Sequence, residues 1–232
     1  MFRRILVVDD DPDIVTTVAL TLELEGFEVT TAGSAEEAER RIEQHGLPHL
    51  ALVDIMMPGT DGLEFCRKVQ SYCDLPVILL TAVDDDETKV RSIEEVAEDY
   101  VTKPFHPPEL VARLKRVLRR LGNFEFRLEP ETRIDENLAV DFAGKRAKVG
   151  EKDVSLTPTE TKILYILVAN ARRTVRTDFL LGRLWPHDEV FEDTLRVHVH
   201  RLRQKIEPNV SSPRYLVTHR GEGYVFLPEQ AS

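Results

Sequence analysis

The sequence predicts a two-domain α/β protein, the first domain built on a parallel sheet and the second a smaller α+β domain. A chain of 232 residues is long for one small domain and allows two separate cores. In its first half, five short apolar runs alternate with five helical patterns, which indicates a parallel sheet with helices on both faces. Its second half begins with short alternating segments and continues with three helical patterns and a hairpin.

The net charge of −10 comes entirely from the first half of the chain. Residues 1 to 121 contain 14 Lys and Arg against 24 Asp and Glu, whereas residues 122 to 232 contain 17 of each kind. Within the second half, the stretch from 193 to 220 has six basic residues and two acidic ones. A neutral domain with one basic surface indicates an acidic partner such as nucleic acid.

Neither a membrane anchor nor a disulfide is expected. No apolar run approaches the roughly 18 residues that a membrane span requires. The first apolar run, 5–8, is too short for a signal peptide and is expected to be a strand. Cys66 and Cys73 lack the CxxC spacing of a metal or redox site, so we expect reduced thiols in a soluble, cytoplasmic protein.

Each apolar run of the first half is followed by a helix with recognisable end signals. Asp11 caps the first helix, Pro12 is its first residue, and Gly26 ends it. Ser34 and Glu37 form a capping box for the second helix. The predicted strands are 4–10, 27–31, 50–54, 76–81 and 99–102, and the predicted helices are 12–26, 34–46, 63–72, 86–96 and 108–120.

Polar side chains stand at the carboxyl ends of four of these strands. Asp9 and Asp10 follow the first strand, Asp54 ends the third, Thr81 ends the fourth and Lys103 follows the fifth. Ligands of parallel sheets bind beyond these ends, so we expect the five side chains to converge. Three close carboxylates need a cation, and an all-oxygen set suits Mg²⁺. We therefore expect Asp54 to accept a phosphoryl group that Mg²⁺, Lys103 and Thr81 position, which forms an aspartyl phosphate.

The second half is expected to contain a short tether, a small antiparallel sheet, three helices and a terminal hairpin. Thr157, Pro158 and Glu160 form the start of the first helix. The third helix carries basic residues on its outer sides and buries four apolar side chains, Leu195, Val199, Leu202 and Ile206. The predicted ranges are 122–133 for the tether, 124–128, 138–142, 149 and 154–156 for strands, 177–185 and 192–206 for the second and third helices, and 215–218 with 224–227 for the hairpin. The first helix is expected to bury Ile163, Leu164, Ile166 and Leu167.

Two groups of motifs resemble a known family. VVDDDPD, LVDIMMPGTDG, LLTA and DYVTKPF resemble the receiver domain of bacterial response regulators over about residues 3–121. LTPTE, TLRVHVHRLRQKIE and HRGEGYVF resemble the winged-helix effector of OmpR/PhoB-type transcription regulators over about residues 134–228. The resemblance implies a flavodoxin-like (βα)5 receiver domain over 1–121, a linker over 122–133 and a winged helix-turn-helix α+β domain over 134–232.

The resemblance implies a role for each residue of the acidic site. A sensor histidine kinase would phosphorylate Asp54, and Lys103 would contact the phosphoryl group. Mg²⁺ would be the cofactor, held by Asp9, Asp10, Asp54 and the backbone carbonyl of Met56. The Lys103–Pro104 peptide would be cis.

The receiver would also signal and dimerise. Thr81 and Tyr100 match the family's switch pair, whose rotamers change on phosphorylation. Relatives usually have a glycine where this chain has Val96, which removes the residue that commonly ends a helix in a left-handed cap. Two receivers would pair as a homodimer through charged residues of one face, namely Glu87, Lys89, Asp99, Arg113 and Arg120.

For the second domain, the resemblance implies binding of double-stranded promoter DNA. Residues 192–207 would form the recognition helix, and the loop after Trp185 would contact RNA polymerase. Relatives often have an acidic residue at position 196, so their base preference is not transferred to this chain. The implied DNA contacts are Arg196, His198, His200, Arg201, Arg203, Thr218 and Arg220.

Two other function classes remain as alternatives. A magnesium phosphatase could use Asp54 as a transient nucleophile, but it would need a second acid two residues later, where Met56 stands. A constitutive DNA-binding protein could use the first domain only for dimerisation, but the complete set of acidic residues and lysine argues against it. We therefore expect a two-component response regulator, not an enzyme, that dimerises after phosphorylation and regulates transcription.

Overall fold

The computed structural model describes residues 3–82, 95–120, 128–186 and 188–228. The chain forms two compact units whose main boundary falls between Gly122 and Asn123. Most of the predicted helix over 86–96, with Glu87 and Lys89, lies outside the described residues, as does most of the predicted strand over 124–128. Within the described ranges, no helix is long and apolar enough to cross a membrane.

The described residues of the first unit form the predicted five-stranded parallel sheet, and its strand order is β2-β1-β3-β4-β5. All residues of β1 and β3 are buried, because apolar runs of this kind are covered by helices on both faces. The strands are β1 (Arg4–Val8), β2 (Glu28–Ala32), β3 (Leu50–Asp54), β4 (Val77–Ala82) and β5 (Asp99–Lys103), and the helices are α1 (Pro12–Leu24), α2 (Ala35–His45), α3 (Gly62–Gln70) and α4 (Pro107–Arg120).

Helix caps in the first unit lie where the sequence predicts them. The Asp11 side chain accepts hydrogen bonds from the backbone N–H groups of Asp13 and Ile14 at the start of α1. Ser34 accepts from the backbone N–H of Glu37 at the start of α2. These bonds satisfy donors that the first helical turn leaves without a partner, and they direct the chain from each strand end into the following helix.

The described residues of the second unit form two antiparallel sheets and three helices. One sheet has the order β6-β7-β8-β9 and the other the order β10-β12-β11. The elements are β6 (Thr132–Arg133), β7 (Leu138–Asp141), β8 (Arg146–Val149), β9 (Lys152–Ser155), α5 (Pro158–Ala169), β10 (Val175–Arg176), α6 (Thr177–Leu184), α7 (Glu192–Ile206), β11 (Leu216–His219) and β12 (Gly223–Phe226).

The structure corrects the expected tether over 122–133. Leu128 and Thr132 are both buried, and Thr132 pairs with Val140 of β7. Ordered structure of the second unit therefore begins before residue 134. The polar composition of this segment concealed the strand, because β6 is only two residues long and shows no alternation.

The helix α7 faces the core as its spacing predicts. Leu195, Val199, Leu202 and Ile206 are all buried, and α7 contacts both α5 and α6. The helix α5 is buried along almost its whole length. The buried row of α7 therefore determines which of its other side chains reach solvent.

A buried histidine, His49, lies just before β3. Its Nδ1 accepts a hydrogen bond of 3.0 Å from the backbone N–H of Arg4. Burial, with the positive charges of Arg4 and Arg3, lowers the pKa of His49 from 6.5 to about 4. The folded chain therefore keeps this ring neutral at a pH where an unfolded chain would bind a proton.

We predict that His49 makes folding depend on pH in the acid range. Its folded pKa lies below its unfolded value, so its contribution is complete above about pH 6.5 and is lost as the pH falls towards 4. The shift corresponds to about 3 kcal/mol of unfolding free energy. Urea unfolding of His49→Asn, which keeps an acceptor for Arg4, should show a flatter pH dependence. The control His45→Asn changes an exposed ring and should keep the wild-type slope; equal slopes in all three chains would contradict the prediction.

Candidate functional site

Three carboxylates meet at the carboxyl edge of the parallel sheet. Asp9 follows β1 and Asp54 ends β3, and the pairing of Val8 with Val53 places these two strand ends side by side. One oxygen from each of Asp9, Asp10 and Asp54 lies within 4.8 Å of the others. Asp9 and Asp54 are only 1% and 5% exposed, whereas Asp10 is exposed.

The side chain of Lys103 reaches this cluster from the end of β5. Its Nζ lies 2.7 Å from Oδ2 of Asp9 and 2.8 Å from Oδ2 of Asp54. The peptide bond between Lys103 and Pro104 is cis, as the resemblance implies. The lysine therefore bridges two buried carboxylates that come from different strands.

Burial and hydrogen bonding shift the pKa of each group in this site in opposite directions. Burial raises the pKa of Asp9, although bonds from Lys103 and from the backbone N–H of Asp11 act in the other direction. Burial alone would lower the pKa of Lys103, but its bonds to Asp54 and Asp9 outweigh that effect and raise it. Lys103 is therefore held in its charged form between the two carboxylates.

The cluster fits a hard divalent cation. Its three carboxylates carry more negative charge than one ammonium neutralises, and carboxylate oxygens are the ligands that Mg²⁺ prefers. Asp10 is exposed and lies on the solvent side of the cluster. The donor set therefore agrees with the expected magnesium site.

Backbone N–H groups hold the two buried carboxylates in place. Oδ1 of Asp54 accepts a bond of 3.2 Å from the backbone N–H of Met56, and Oδ1 of Asp9 accepts one of 3.0 Å from that of Asp11. The second oxygen of Asp54 accepts a hydrogen bond from Lys103, and the second oxygen of Asp9 forms an ion pair with it. The Met56 side chain is exposed, as expected for a turn residue.

Thr81 and Tyr100 are placed differently from the cluster residues. Thr81 pairs with Thr102 of β5 near the carboxyl end of β4, but its hydroxyl donates to the carbonyl of Ala82 at 3.0 Å. Tyr100 lies earlier in β5 and is 51% exposed. The convergence predicted from strand ends thus holds for Lys103 and the three aspartates, whereas the Thr81 hydroxyl bonds its own strand.

Charged residues of the expected dimer face form pairs within the chain. The Asp99 carboxylate lies 3.3 Å from Nη1 of Arg113 and 2.7 Å from Nη2 of Arg116. Arg113 also bonds Glu109 at 2.8 Å. Sequence reasoning missed Arg116, whose position one turn after Arg113 was the available signal. Glu87, Lys89 and the side chain of Arg120 lie outside the described residues.

On the second unit, the solvent side of α7 presents a mixed surface. His200 and Arg201 are exposed, and Val197 is 47% exposed one turn before Arg201. Sequence reasoning missed Val197, although an apolar residue outside the core spacing of α7 was visible in the sequence. Arg196 is exposed as well, but it pairs within the helix with Glu192 and Asp193, at 3.0 and 3.1 Å.

Three residues expected to contact DNA, namely His198, Arg203 and Thr218, have partners inside the second unit. The guanidinium of Arg203 donates to the carbonyl of Leu216 from Nε at 2.9 Å and from Nη2 at 2.7 Å, and Nη2 also donates to the Thr218 hydroxyl at 2.7 Å. Burial lowers the pKa of Arg203. The ring of His198 lies 5.6 Å from that of Trp185. Arg203 is therefore bonded to β11, whereas Arg220 is exposed beside the tight turn at Gly221.

Comparisons with known proteins agree with both halves of this description. The family model of the response regulator receiver domain matches residues 5–115, and the model described as transcriptional regulatory protein, C terminal, matches residues 150–226. The regulatory protein VanR of Enterococcus faecium is 37% identical over 97% of this chain and 98% of its own length.

Two further relatives are similar along their whole length. The phosphate regulon transcriptional regulatory protein PhoB of Escherichia coli (strain K12) is 36% identical over 97% of this chain and 98% of its own length. The DNA-binding response regulator MtrA of Mycolicibacterium smegmatis is 37% identical over 97% of this chain and 96% of its own length. The similarity therefore extends across both units.

We predict that Gly62→Ala destabilises the first unit. A Cβ at position 62 would lie 2.0 Å from the backbone carbonyl oxygen of Asp54, so the turn that holds Asp54 would have to shift. The expected loss is about 2 kcal/mol in urea unfolding. In the control Gly33→Ala, the added carbon would lie 3.7 Å from the Glu37 side chain and should cost less than about 0.5 kcal/mol. Equal losses in the two variants would contradict this account of the turn.

Proposed function

This chain belongs to the OmpR/PhoB family of two-component response regulators, and from that premise we propose that Asp54 is the residue phosphorylated by its sensor histidine kinase. One observation carries the proposal. Lys103 joins Asp54 to Asp9 within a cluster of three carboxylates, and this arrangement supports the proposal because a carboxylate, an ammonium and oxygens able to bind a metal lie close together.

The proposed reaction is a phosphoryl transfer from the kinase. A carboxylate oxygen of Asp54 forms a bond to phosphorus as the bond between phosphorus and the donor nitrogen of the kinase histidine breaks. Lys103 already contacts Asp54 and can donate to the phosphoryl oxygens without leaving the cluster. Asp9, Asp10 and Asp54, with the Met56 carbonyl, would hold Mg²⁺, which supplies further positive charge to those oxygens.

Thr81 and Tyr100 are the proposed switch residues. The Thr81 hydroxyl would leave the Ala82 carbonyl and donate to the new phosphoryl group. Tyr100 would then turn inward from its exposed position. A local change in charge would thereby alter the surface on which β5 and α4 lie.

The altered surface would support a homodimer. Asp99, Arg113 and Arg120 would take part, together with Glu87 and Lys89. The pairs of Asp99 with Arg113 and Arg116 would then be exchanged for pairs between two chains. Dimerisation would bring two DNA-binding units onto neighbouring half-sites and raise the affinity through effective concentration.

The proposed DNA surface is the solvent side of α7 together with the hairpin. Arg201 and His200 are available for phosphates and base edges, and Val197 can contact a thymine methyl group. Arg220 would enter the minor groove, and Thr218 and His198 would lie near phosphates. Arg196 would contribute once it leaves Glu192 and Asp193. For Arg203, the bonds to β11 favour a structural role.

The remaining proposed partner is RNA polymerase, which would contact the loop after Trp185. The chain would act as a regulator in the cytoplasm, where its DNA is, and not as an enzyme that turns over a substrate. PhoB is named as a transcriptional regulatory protein and MtrA as a DNA-binding response regulator, which supports this assignment.

We predict that Asp54→Asn abolishes phosphorylation. Full-length chain incubated with Mg²⁺ and acetyl phosphate should gain one phosphoryl group by intact mass and sediment as a dimer, whereas Asp54→Asn should do neither. The matched control is Asp61→Asn, which changes another aspartate of the same loop and keeps the oxygen that caps α3. Undiminished labelling of Asp54→Asn would show that another residue is the phosphoacceptor.

We predict that Arg201→Ala weakens DNA binding and reduces its salt dependence. Loss of one phosphate contact should lower the slope of log affinity against log salt by about 1. The probe is the duplex that the wild-type chain selects from a random-sequence pool, measured by fluorescence anisotropy. Arg146→Ala removes an exposed arginine from β8 and should leave the slope unchanged. A wild-type slope in Arg201→Ala would rule out a phosphate contact at this residue.

A further inference from the structure

The end of α7 is bonded to the beginning of β11 by one buried carboxylate. Glu207 directly follows α7 and is buried. Its Oε2 accepts bonds from the backbone N–H groups of Arg214 and Tyr215 at 2.7 and 3.1 Å. Its Oε1 accepts bonds from those of Tyr215 and Leu216 at 3.0 and 2.7 Å. The backbone N–H groups of three consecutive residues, the two that precede β11 and its first residue, thus converge on one side chain.

A second side chain of the same helix bonds β11 further along the strand. Arg203 lies four residues before Glu207, so both side chains leave α7 on the same side. Its guanidinium bonds the Leu216 carbonyl and the Thr218 hydroxyl. Together, Glu207 and Arg203 hold β11 from its first residue to Thr218, and we call this pair the β11 clamp.

The β11 clamp connects two parts of the proposed DNA surface. Arg201 lies on the solvent side of α7, and Arg220 lies directly after β11 in the turn to β12. The position of Arg220 relative to Arg201 therefore depends on how β11 is attached to α7. If the hairpin moved freely relative to α7, it would lose conformational entropy on binding DNA. A rigid attachment to α7 avoids this loss.

We propose that Glu207 and Arg203 are positioning residues for DNA binding, which hold Arg220 at the distance from α7 that a duplex requires. The proposal rests on the DNA-binding function proposed above, and on Arg220 as a contact in particular. Arg203, whose charge suggests a phosphate contact, would instead bond β11 of its own chain. The proposal also assigns a favourable role in binding an anionic partner to an acidic residue.

The sign of the Glu207 effect separates positioning from plain electrostatics. Removing a negative charge from a DNA-binding domain should strengthen binding if charge alone matters. In Glu207→Gln, the side-chain NH₂ group would face the backbone N–H groups of Arg214 and Tyr215. Because all of these groups are hydrogen-bond donors, the bonds of Glu207 to these two residues would be lost. The positioning role therefore predicts weaker binding on the order of tenfold.

The decisive experiment combines Glu207→Gln with Arg220→Ala in the full-length chain. The probe is the duplex selected by the wild-type chain from a random-sequence pool, and affinity is measured across a range of salt. Each single variant should weaken binding and lower the salt slope by about 1, because each loses the contact of Arg220. The double variant should bind no more weakly than Arg220→Ala alone, since the clamp acts through that contact.

Two further variants serve as comparison. Glu151→Gln removes an exposed carboxylate from the turn between β8 and β9 and should leave the affinity equal to wild type or slightly higher. Arg203→Lys keeps the positive charge but cannot bond Leu216 and Thr218 with one planar group. It should therefore weaken binding and lower the slope as Arg220→Ala does, and it supplies the test if circular dichroism shows that Glu207→Gln is unfolded.

The outcomes separate the inference from the function on which it rests. Tighter or unchanged binding by a folded Glu207→Gln would overturn the positioning role, as would losses that add in the double variant. A wild-type slope in Arg203→Lys would show that the bonds of the guanidinium to β11 are not needed for binding and would also overturn it. If Arg220→Ala alone left binding unchanged, Arg220 would not contact DNA. The positioning role of the β11 clamp would then be wrong as well.

Discussion

The contact of the Lys103 ammonium with Asp9 and Asp54 is the interaction that holds the acidic cluster of the first unit together. Two buried carboxylates at this distance would otherwise favour protonation, because burial and mutual repulsion both disfavour the charged form. The three residues come from the ends of β1, β3 and β5, so the contact forms only when the strands are in their final order. A change of charge at this point, such as a phosphoryl group on Asp54, would therefore act on several strands at once.

In the second unit, some charged side chains face solvent, whereas others bond neighbouring elements of the same unit. The helix α7 has a buried apolar row that ends at Ile206, a solvent side with Val197 and Arg201, and two flanks that bond other elements. On one flank, Arg203 bonds β11, and on the opposite flank, Lys205 lies 2.7 Å from the buried carboxylate of Glu160 at the start of α5. Few cations of α7 are therefore free for phosphates. Affinity for DNA would then rest on the geometry of helix and hairpin, and on pairing two chains, more than on total charge.

Patterns over short stretches predicted most of the fold and the centre of the candidate site. Apolar runs that end in aspartate marked β1 and β3, and the capping signals of α1 and α2 lie where Asp11 and Ser34 indicate. The strands β6 and β10 were missed, because two residues show no alternation and are strands only through the neighbours with which they pair. Thr81 was predicted correctly as a strand end, but its hydroxyl bonds the Ala82 carbonyl, a choice of rotamer that the sequence does not encode locally.

The order of residues along the chain is sufficient to identify helices, strand ends and the residue types at a phosphate site, because caps and periodicities act over a few positions. It does not reveal which charged side chains have partners. Arg201 and Arg203 look alike in the sequence, yet one faces solvent and the other bonds a carbonyl 13 positions away. Lys103 and Asp54 are 49 positions apart. Such contacts depend on how sheets and helices pack, so only the tertiary structure decides which charges are free to bind a ligand and which hold the protein together.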